Sequence, residues 1–237
     1  MNKIIGIPGY KGTDSNNFGV GNNYLNFFQK NGYNPRIIMP WEEYVKVDML
    51  LLPGGMDVSP TNYNQIPEFG CGNQDVFKEF FFKERLPHYV EKNIPILGIC
   101  LGMQQLASYF GSELIQDLIY HKQSSKRWET AHNVFYANDT TLSGIFPNKV
   151  NSKNGFEVNS HHHQGVTVEC LSDALEPLLI CELEGIDTRK GKILVEAFKH
   201  KTLPIYGVQW HPEELYDNFT INLISELTNI KSYANFN

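Results

Sequence analysis

The chain has 237 residues, 41% of them apolar, enough to bury a sizeable core without disulfide or metal staples. Its 26 acidic against 20 basic residues leave a net charge of −6, which argues against electrostatic attraction to nucleic acid or an anionic membrane. No run approaches the ~18 apolar residues of a membrane span, and the apolar start within Met1–Pro8 is too short for a signal peptide.

Strand-like and helix-like segments alternate along the first half. Lys3–Ile7 reads as a buried strand. Val20–Lys30 reads as a helix, with Tyr24, Leu25, Phe27 and Phe28 clustered on one side and Gly32 as its stop. Arg36–Met39 and Val47–Leu52 are β-rich runs. Gln74–Lys92 is helix-like, with Phe77, Phe80, Phe81 and Leu86 on the expected buried side and Pro87 as a break or kink. An apolar strand then leads into a helix over Leu101–Phe110, capped by Gly111. Asn133–Tyr136, Leu178–Leu183 and Lys192–Phe198 are shorter strand-like runs, and Asp217–Lys231 is a closing helix carrying Phe219, Ile221, Leu223, Ile224 and Leu227.

Repeated β-α alternation predicts an α/β fold: an open, mostly parallel sheet with helices on both faces, extended by small antiparallel strands. No internal repeat or long linker interrupts it, so one domain is expected over 1–237. Gly9–Gly21 and Asn62–Asn73 are rich in Gly, Asn, Ser or Pro and read as surface loops. Each follows the C-terminal end of a strand, where open α/β sheets bind ligands.

The most informative stretch is Ile94-Pro-Ile-Leu-Gly-Ile-Cys-Leu-Gly-Met-Gln104. It reads as strand, sharp turn and helix, with the Cys100 thiol on the turn, the cysteine counterpart of a Gly-x-Ser-x-Gly nucleophile elbow. Glycines flank the nucleophile because the tight turn leaves no room for a β-carbon. A helix starting there aims its dipole and free N–H groups at the sulfur, a placement that favours thiolate, the reactive form. The opposing reading is a small buried hydrophobe.

A second motif decides between them. Tyr206-Gly-Val-Gln-Trp-His-Pro-Glu213 is an apolar run ending in a histidine, with a glutamate two residues on. On an extended backbone these share a side, so Glu213 can orient His211 and leave its other nitrogen to serve Cys100. The other cysteines, Cys71, Cys170 and Cys181, form no Cys-x-x-Cys pair and read as structural. A required free thiol points to a reducing cytoplasm.

Together, Gly98-Ile-Cys-Leu-Gly-Met-Gln104 and Gln209-Trp-His-Pro-Glu213 resemble the class I glutamine amidotransferase superfamily. Val158-Asn-Ser-His-His-His-Gln164 and Leu52-Pro-Gly-Gly-Met-Asp-Val-Ser-Pro60 resemble its γ-glutamyl hydrolase branch, whose members cleave γ-glutamyl amides such as γ-glutamyl-γ-aminobutyrate. Asp75 and Val195-Glu-Ala197 occupy places that branch also marks. Two positions depart from it: Leu101 replaces an arginine and His161 a tyrosine, both beside the substrate.

The resemblance implies the flavodoxin-like class I glutamine amidotransferase fold and a triad of Cys100, His211 and Glu213. It implies oxyanion donors at the backbone of Gly55 and Leu101, and a substrate wall of Gly54, Met56, Gln104, Ser160, His161 and His162. Gln104 either holds the glutamyl moiety or bonds within the core. The histidine block binds substrate, serves structure or holds a metal. Against a metal, neighbouring strand residues alternate faces, so at most His161 and His163 share a side, and no Cys or carboxylate lies within the block. No cofactor and no metal are expected.

Three readings of function stand: a stand-alone hydrolase of a small γ-glutamyl amide, a glutaminase subunit passing ammonia to a separate synthase, and an inactive binding protein. The intact triad residues weigh against the third.

Overall fold

The computed structural model describes residues 2–11, 18–119, 121–137, 155–183 and 190–230. In chain order the elements begin with β1 (Ile4–Pro8), β2 (Tyr10–Lys11), β3 (Phe18–Gly19), α1 (Asn22–Lys30), β4 (Asn34–Ile38) and β5 (Met49–Leu52). Then follow α2 (Val76–Phe80), a π-helical turn (Phe81–Arg85), α3 (Leu86–Glu91), β6 (Ile96–Ile99) and α4 (Leu101–Tyr109). The second half comprises β7 (His132–Tyr136), β8 (Phe156–Val158), β9 (Leu175–Glu182), β10 (Ile193–His200), β11 (Ile205–Val208), α5 (Pro212–Leu215) and α6 (Asn218–Asn229).

Among the described residues, nine strands form one sheet in the order β4-β1-β5-β6-β11-β10-β9-β7-β8. The first five are mutually parallel, and every pairing from β11 outward is antiparallel. This is the flavodoxin-like class I glutamine amidotransferase fold with an antiparallel extension. The parallel strands are buried on both faces, which is why they read as continuous apolar runs. Met49 and Leu51 pack with Tyr24, Phe27 and Phe28 of α1 and Leu223 of α6, whereas Leu50 and Leu52 pack with Phe81, Leu86 and Leu106 on the opposite face. Period-two alternation thus assigns each strand residue to one of two helix layers.

The expected loop Gly9–Gly21 instead holds the paired strands β2 and β3, its residues 12–17 lying outside the described residues. Lys231 of the expected closing helix also lies outside them. In Asn62–Asn73 the 3-10 turn Pro60–Tyr63 is followed by residues without helix or strand.

The segment Gln74–Lys92 is a helix, but its buried stripe differs from the one expected. Phe80 is 39% exposed, while Lys78, Phe81, Phe82, Leu86 and Tyr89 face inward. A cation takes a position that apolar periodicity alone assigns to phenylalanine, because Lys78 Nζ finds the Gly54 carbonyl and the face of Tyr10, 3.9 Å from the ring centroid. Nor does Pro87 break the helix. The π turn before it widens the backbone where the proline lacks its N–H and its ring crowds the preceding turn.

The closing helix is fastened to the strand that bears the second motif. Asp217 caps α6, accepting from Thr220 N at 2.7 Å, and also accepts the indole N–H of fully buried Trp210 at 2.9 Å. Asp217→Ala removes the cap and strands a buried N–H, so it should lower stability by about 2–4 kcal/mol. Asp217→Asn, which keeps one oxygen for the cap, should lose less. Urea midpoints of the three proteins check the order.

Candidate active site

Three adjacent strands, β5, β6 and β11, deliver the three motifs to one edge of the sheet. Cys100 sits between β6 and α4 with φ 52° and ψ −106°, in the positive-φ range that a residue with a β-carbon rarely adopts. Its N–H donates to Val208 O at 2.9 Å, which ties the turn to β11. The flanking glycines make the turn possible: a β-carbon on Gly98 would fall 2.5 Å from the Gly102 carbonyl carbon, and one on Gly102 would strike the Leu52 carbonyl. Leu101 opens α4, so its N–H belongs to the helix turn without intrahelical acceptors.

His211 lies just beyond β11, 4% exposed. Its Nδ1 is 2.7 Å from Glu213 Oε1, and the Cys100 sulfur is near enough to act on its charge. The pairing does not arise on an extended backbone, as the sequence spacing implies. His211 caps the single-turn helix α5, and Glu213 reaches back from its first turn. Gly54 leaves the space where thiol and imidazole meet: a β-carbon there would fall 2.7 Å from His211 Cε1 and 3.5 Å from Cys100 Cβ. Burial pulls the imidazole down, but the Cys100 sulfur and Glu213 outweigh it and raise His211 to about 10.

Several supports are absent from the motifs as functional residues. The Tyr24 hydroxyl accepts Gly54 N–H at 2.9 Å and turns toward Glu213; burial, then the Glu213 charge, holds its phenol well above the ordinary range. Asn159 clamps the His211 backbone, accepting its N–H at 2.8 Å and donating to its carbonyl at 3.2 Å. Lys78, lowered to about 8 by burial, holds the Gly54 carbonyl. Each makes a contact distant in sequence, so no local spacing announces it.

A cavity of about 270 Å³ opens on Cys100, lined also by Gly55, Met56, Gln104, His161 and His162. Gln104 is buried and its amide donates to Gln164 O at 2.8 Å and to Gln209 Oε1 at 3.2 Å, so it bonds within the core while it lines the cavity. Gly54 and Leu101 lie beside the thiol. Ser160 stands apart: it is fully buried, and its hydroxyl donates to His121 O at 3.0 Å. Its physical position is behind the cavity wall, because the backbone between Asn159 and His161 turns its side chain away.

The histidines separate. His161 lies 6.2 Å from His211, ring to ring, and burial followed by nearby Arg127 and His211 lowers it to about 4. His163 is held between Asp57 at 2.9 Å and Asp117 at 3.1 Å, which raises its pKa, the Asp57 bond most. His162 turns its Nε2 toward Glu196. His161 and His163 therefore share no ligand position with His211. Among the described residues, a separate group of His121, His132, Cys181 and Glu196 could hold a metal ion.

Residues 10–213 match the peptidase C26 family model, and the chain belongs to that family. It is 34% identical to the glutamine amidotransferase-like protein YvdE of Lactococcus lactis over 80% of this chain and 78% of that one. It is 30% identical to a glutamine-hydrolysing GMP synthase subunit of Pyrococcus furiosus over 61% of this chain and 64% of that one. The fold is similar to the glutaminase domain of Trypanosoma brucei CTPS, solved with bound acivicin, at a TM-score of 0.63 and 16% identity, covering 98% of this chain and 96% of that one. Among the described residues no helix is long and apolar enough to cross a membrane.

Because the raised His211 pKa keeps the imidazolium populated up to about 10, a step that needs its proton should survive alkaline pH and fall only above that value. A kcat/KM profile with its alkaline limb near 6.5 instead would mean that His211 titrates as an isolated imidazole. Replacing His211 with alanine should cost ~10⁴-fold or more in turnover. Glu213→Gln should cost less and move the alkaline limb to lower pH, since one of the two groups that raise His211 is gone.

Proposed function

We propose that this chain hydrolyses a γ-glutamyl amide through a γ-glutamyl thioester on Cys100. The observation that carries the reading is the strained Cys100 turn at the start of α4, which meets across Gly54 an imidazole that Glu213 orients at 2.7 Å. Cys100 Sγ attacks the amide carbonyl carbon. The C–N bond breaks, and the leaving amine takes its proton from the His211 imidazolium. Water then attacks the thioester with neutral His211 as base, releasing glutamate and restoring the thiolate–imidazolium pair.

The backbone N–H groups of Leu101 and Gly55 serve as oxyanion donors. A β-carbon on Gly55 would lie 2.5 Å from Lys78 Nζ and 2.6 Å from Leu101 Cδ2, so the glycine leaves room for both side chains beside the donor. Met56, Gln104, His161 and His162 form the substrate side of the cavity, and neutral His161, 6.2 Å from the His211 ring, takes the leaving-group side. The whole chain acts as one domain in a reducing cytoplasm, where its four free cysteines persist.

A second reading has one specific support. The Pyrococcus relative belongs to a glutamine-hydrolysing synthase, so this chain would hydrolyse glutamine and deliver ammonia to a partner synthase. Leu101, in place of the hydrolase branch's arginine, agrees with it. The stand-alone reading is preferred because Lys78, Tyr24 and Gly54 already brace the oxyanion side without a partner chain.

The purified chain alone should release glutamate steadily from at least one member of a γ-glutamyl amide panel, with a secondary amide preferred over glutamine. Cys100→Ala should abolish release, and a glutamine-like diazoketone should label Cys100 once. Release that survives in Cys100→Ala would sink the nucleophile assignment. Release seen only after a synthase is added would favour the ammonia-donor reading.

A further inference from the structure

Behind the wall that carries His161 and His162, distant parts of the chain meet at one buried point. His121 follows α4, His132 opens β7, Cys181 lies on β9 and Glu196 on β10. One ligand-capable atom from each lies within 4.8 Å of all the others. Glu196 reaches the point from a β-bulge: β10 pairs with β9 at Val195 and Ala197, and the register shifts between them. Such a bulge re-aims a side chain out of the ladder.

Measured from the carboxylate, the spacing is close to that of a coordination shell. From Glu196 Oε1, His132 Nε2 is 3.2 Å away, Cys181 Sγ 3.5 Å, His121 Nε2 3.6 Å and His162 Nε2 4.0 Å. Tetrahedral bonds of about 2.0–2.3 Å put neighbouring ligand atoms about 3.3–3.8 Å apart. Hydrogen bonding accounts for only part of the arrangement, the Cys181 thiol donating to Glu196 Oε1. The imidazoles face the carboxylate at ion-pair distance without aligning, and Nε2 of His121, His132 and His162 and Oε2 of Glu196 have no hydrogen-bond partner among the described residues.

His162 sharpens the point. Its Nδ1 is 2.9 Å from Gln164 O, which can only accept, so Nδ1 carries the hydrogen. The neutral ring then turns a bare Nε2 lone pair toward a fully buried carboxylate. Two acceptors facing each other away from water need a shared proton or a cation between them. A histidine that donates its other N–H to a backbone carbonyl is also the usual pose of a metal ligand.

We propose that His121, His132, Cys181 and Glu196 hold a structural Zn²⁺, with His162 Nε2 at its edge. The mix of imidazole, thiol and carboxylate suits Zn²⁺ and disfavours Mg²⁺ and Ca²⁺, which take oxygen ligands. Binding breaks the Cys181 S–H bond, its proton passing to solvent, and forms four coordinate bonds, from the thiolate, the Glu196 carboxylate and the neutral Nε2 atoms of His121 and His132. His132, whose side chain is 22% exposed, marks the path of entry. The ion staples β7, β9 and β10 to the histidine block that walls the cavity, so it positions that wall without touching substrate.

The test uses the full chain with Cys100→Ser, which removes the active-site thiol as a competing ligand. After chelator treatment it is titrated with Co²⁺ and then Zn²⁺. One equivalent of Co²⁺ should bind with the intense d–d bands of a tetrahedral ion and a thiolate-to-cobalt charge-transfer band. Adding Cys181→Ser should abolish the charge-transfer band. Adding Glu196→Gln should weaken Zn²⁺ binding by more than the ~10–100-fold typical of changes outside the ligand shell. Zn²⁺ should raise the melting temperature of the parent but not of the Glu196→Gln protein. His132→Gln, at the partly exposed edge, gives the same affinity test should either buried variant fail to fold, as circular dichroism would show. No stoichiometric ion in the parent, or an ion whose spectrum and affinity ignore all three substitutions, would overturn the site.

Discussion

The arrangement rests on the adjacency of β5, β6 and β11 at one edge of the parallel sheet. Neighbouring strands lie about 4.8 Å apart, so residues just past their ends are within reach of one another without long side chains. β5 ends before Gly54, β6 before Cys100 and β11 shortly before His211. The Cys100 turn depends on that adjacency twice. Gly102 rests on the Leu52 carbonyl of β5, and Cys100 N–H is held by Val208 O of β11. A strained backbone persists only where its surroundings over-determine it, and here both neighbouring strands do so.

Electrostatics follows from the same edge. His211 and Glu213 are both buried, and a buried imidazolium is costly unless matched. It is matched on two sides, by the Cys100 sulfur and by the Glu213 carboxylate. Asn159 fixes the backbone that carries the ring, and Tyr24 links α1 to Gly54, so the glycine that makes room for the pair is itself held. The site is a set of backbone placements as much as a set of side chains.

What is legible in the sequence is what is local. The elbow, its glycines and the strand-helix alternation are short-range patterns, and the fold class follows from them. The nearness of His211 to Glu213 is legible too, but through the wrong geometry, because the proline between them starts a helix. The inward stripe of α2 is misplaced by periodicity, since hydrophobicity cannot foresee a lysine that finds a carbonyl and an aromatic face across β2 and β5. Tyr24 reads as core, and by burial it is core; its hydroxyl acquires a role only when β5 ends beside it. The cluster at Glu196 is invisible for the same reason, its members being spread from residue 121 to 196.

The stretch Asn159–Gln164 shows how a polar motif survives burial. Asn159 serves the His211 backbone, Ser160 donates to His121 O, and His161 stands beside the His211 ring. His162 faces Glu196, His163 bridges Asp57 and Asp117, and Gln164 accepts Val58 N–H at 2.8 Å. Buried polar groups need partners, and these six residues find theirs on β10, in the turn after β11 and in the loops after β5 and α4. The bulged Glu196 also joins this network through its own carbonyl, which accepts Gln209 N–H at 2.8 Å, two residues before His211. The antiparallel extension is thus mechanically continuous with the segment that carries His211 and Glu213. A change at β10 reaches that segment through one hydrogen bond and the cavity wall through one imidazole, which makes the extension part of the cavity's scaffold rather than an ornament at the edge of the sheet.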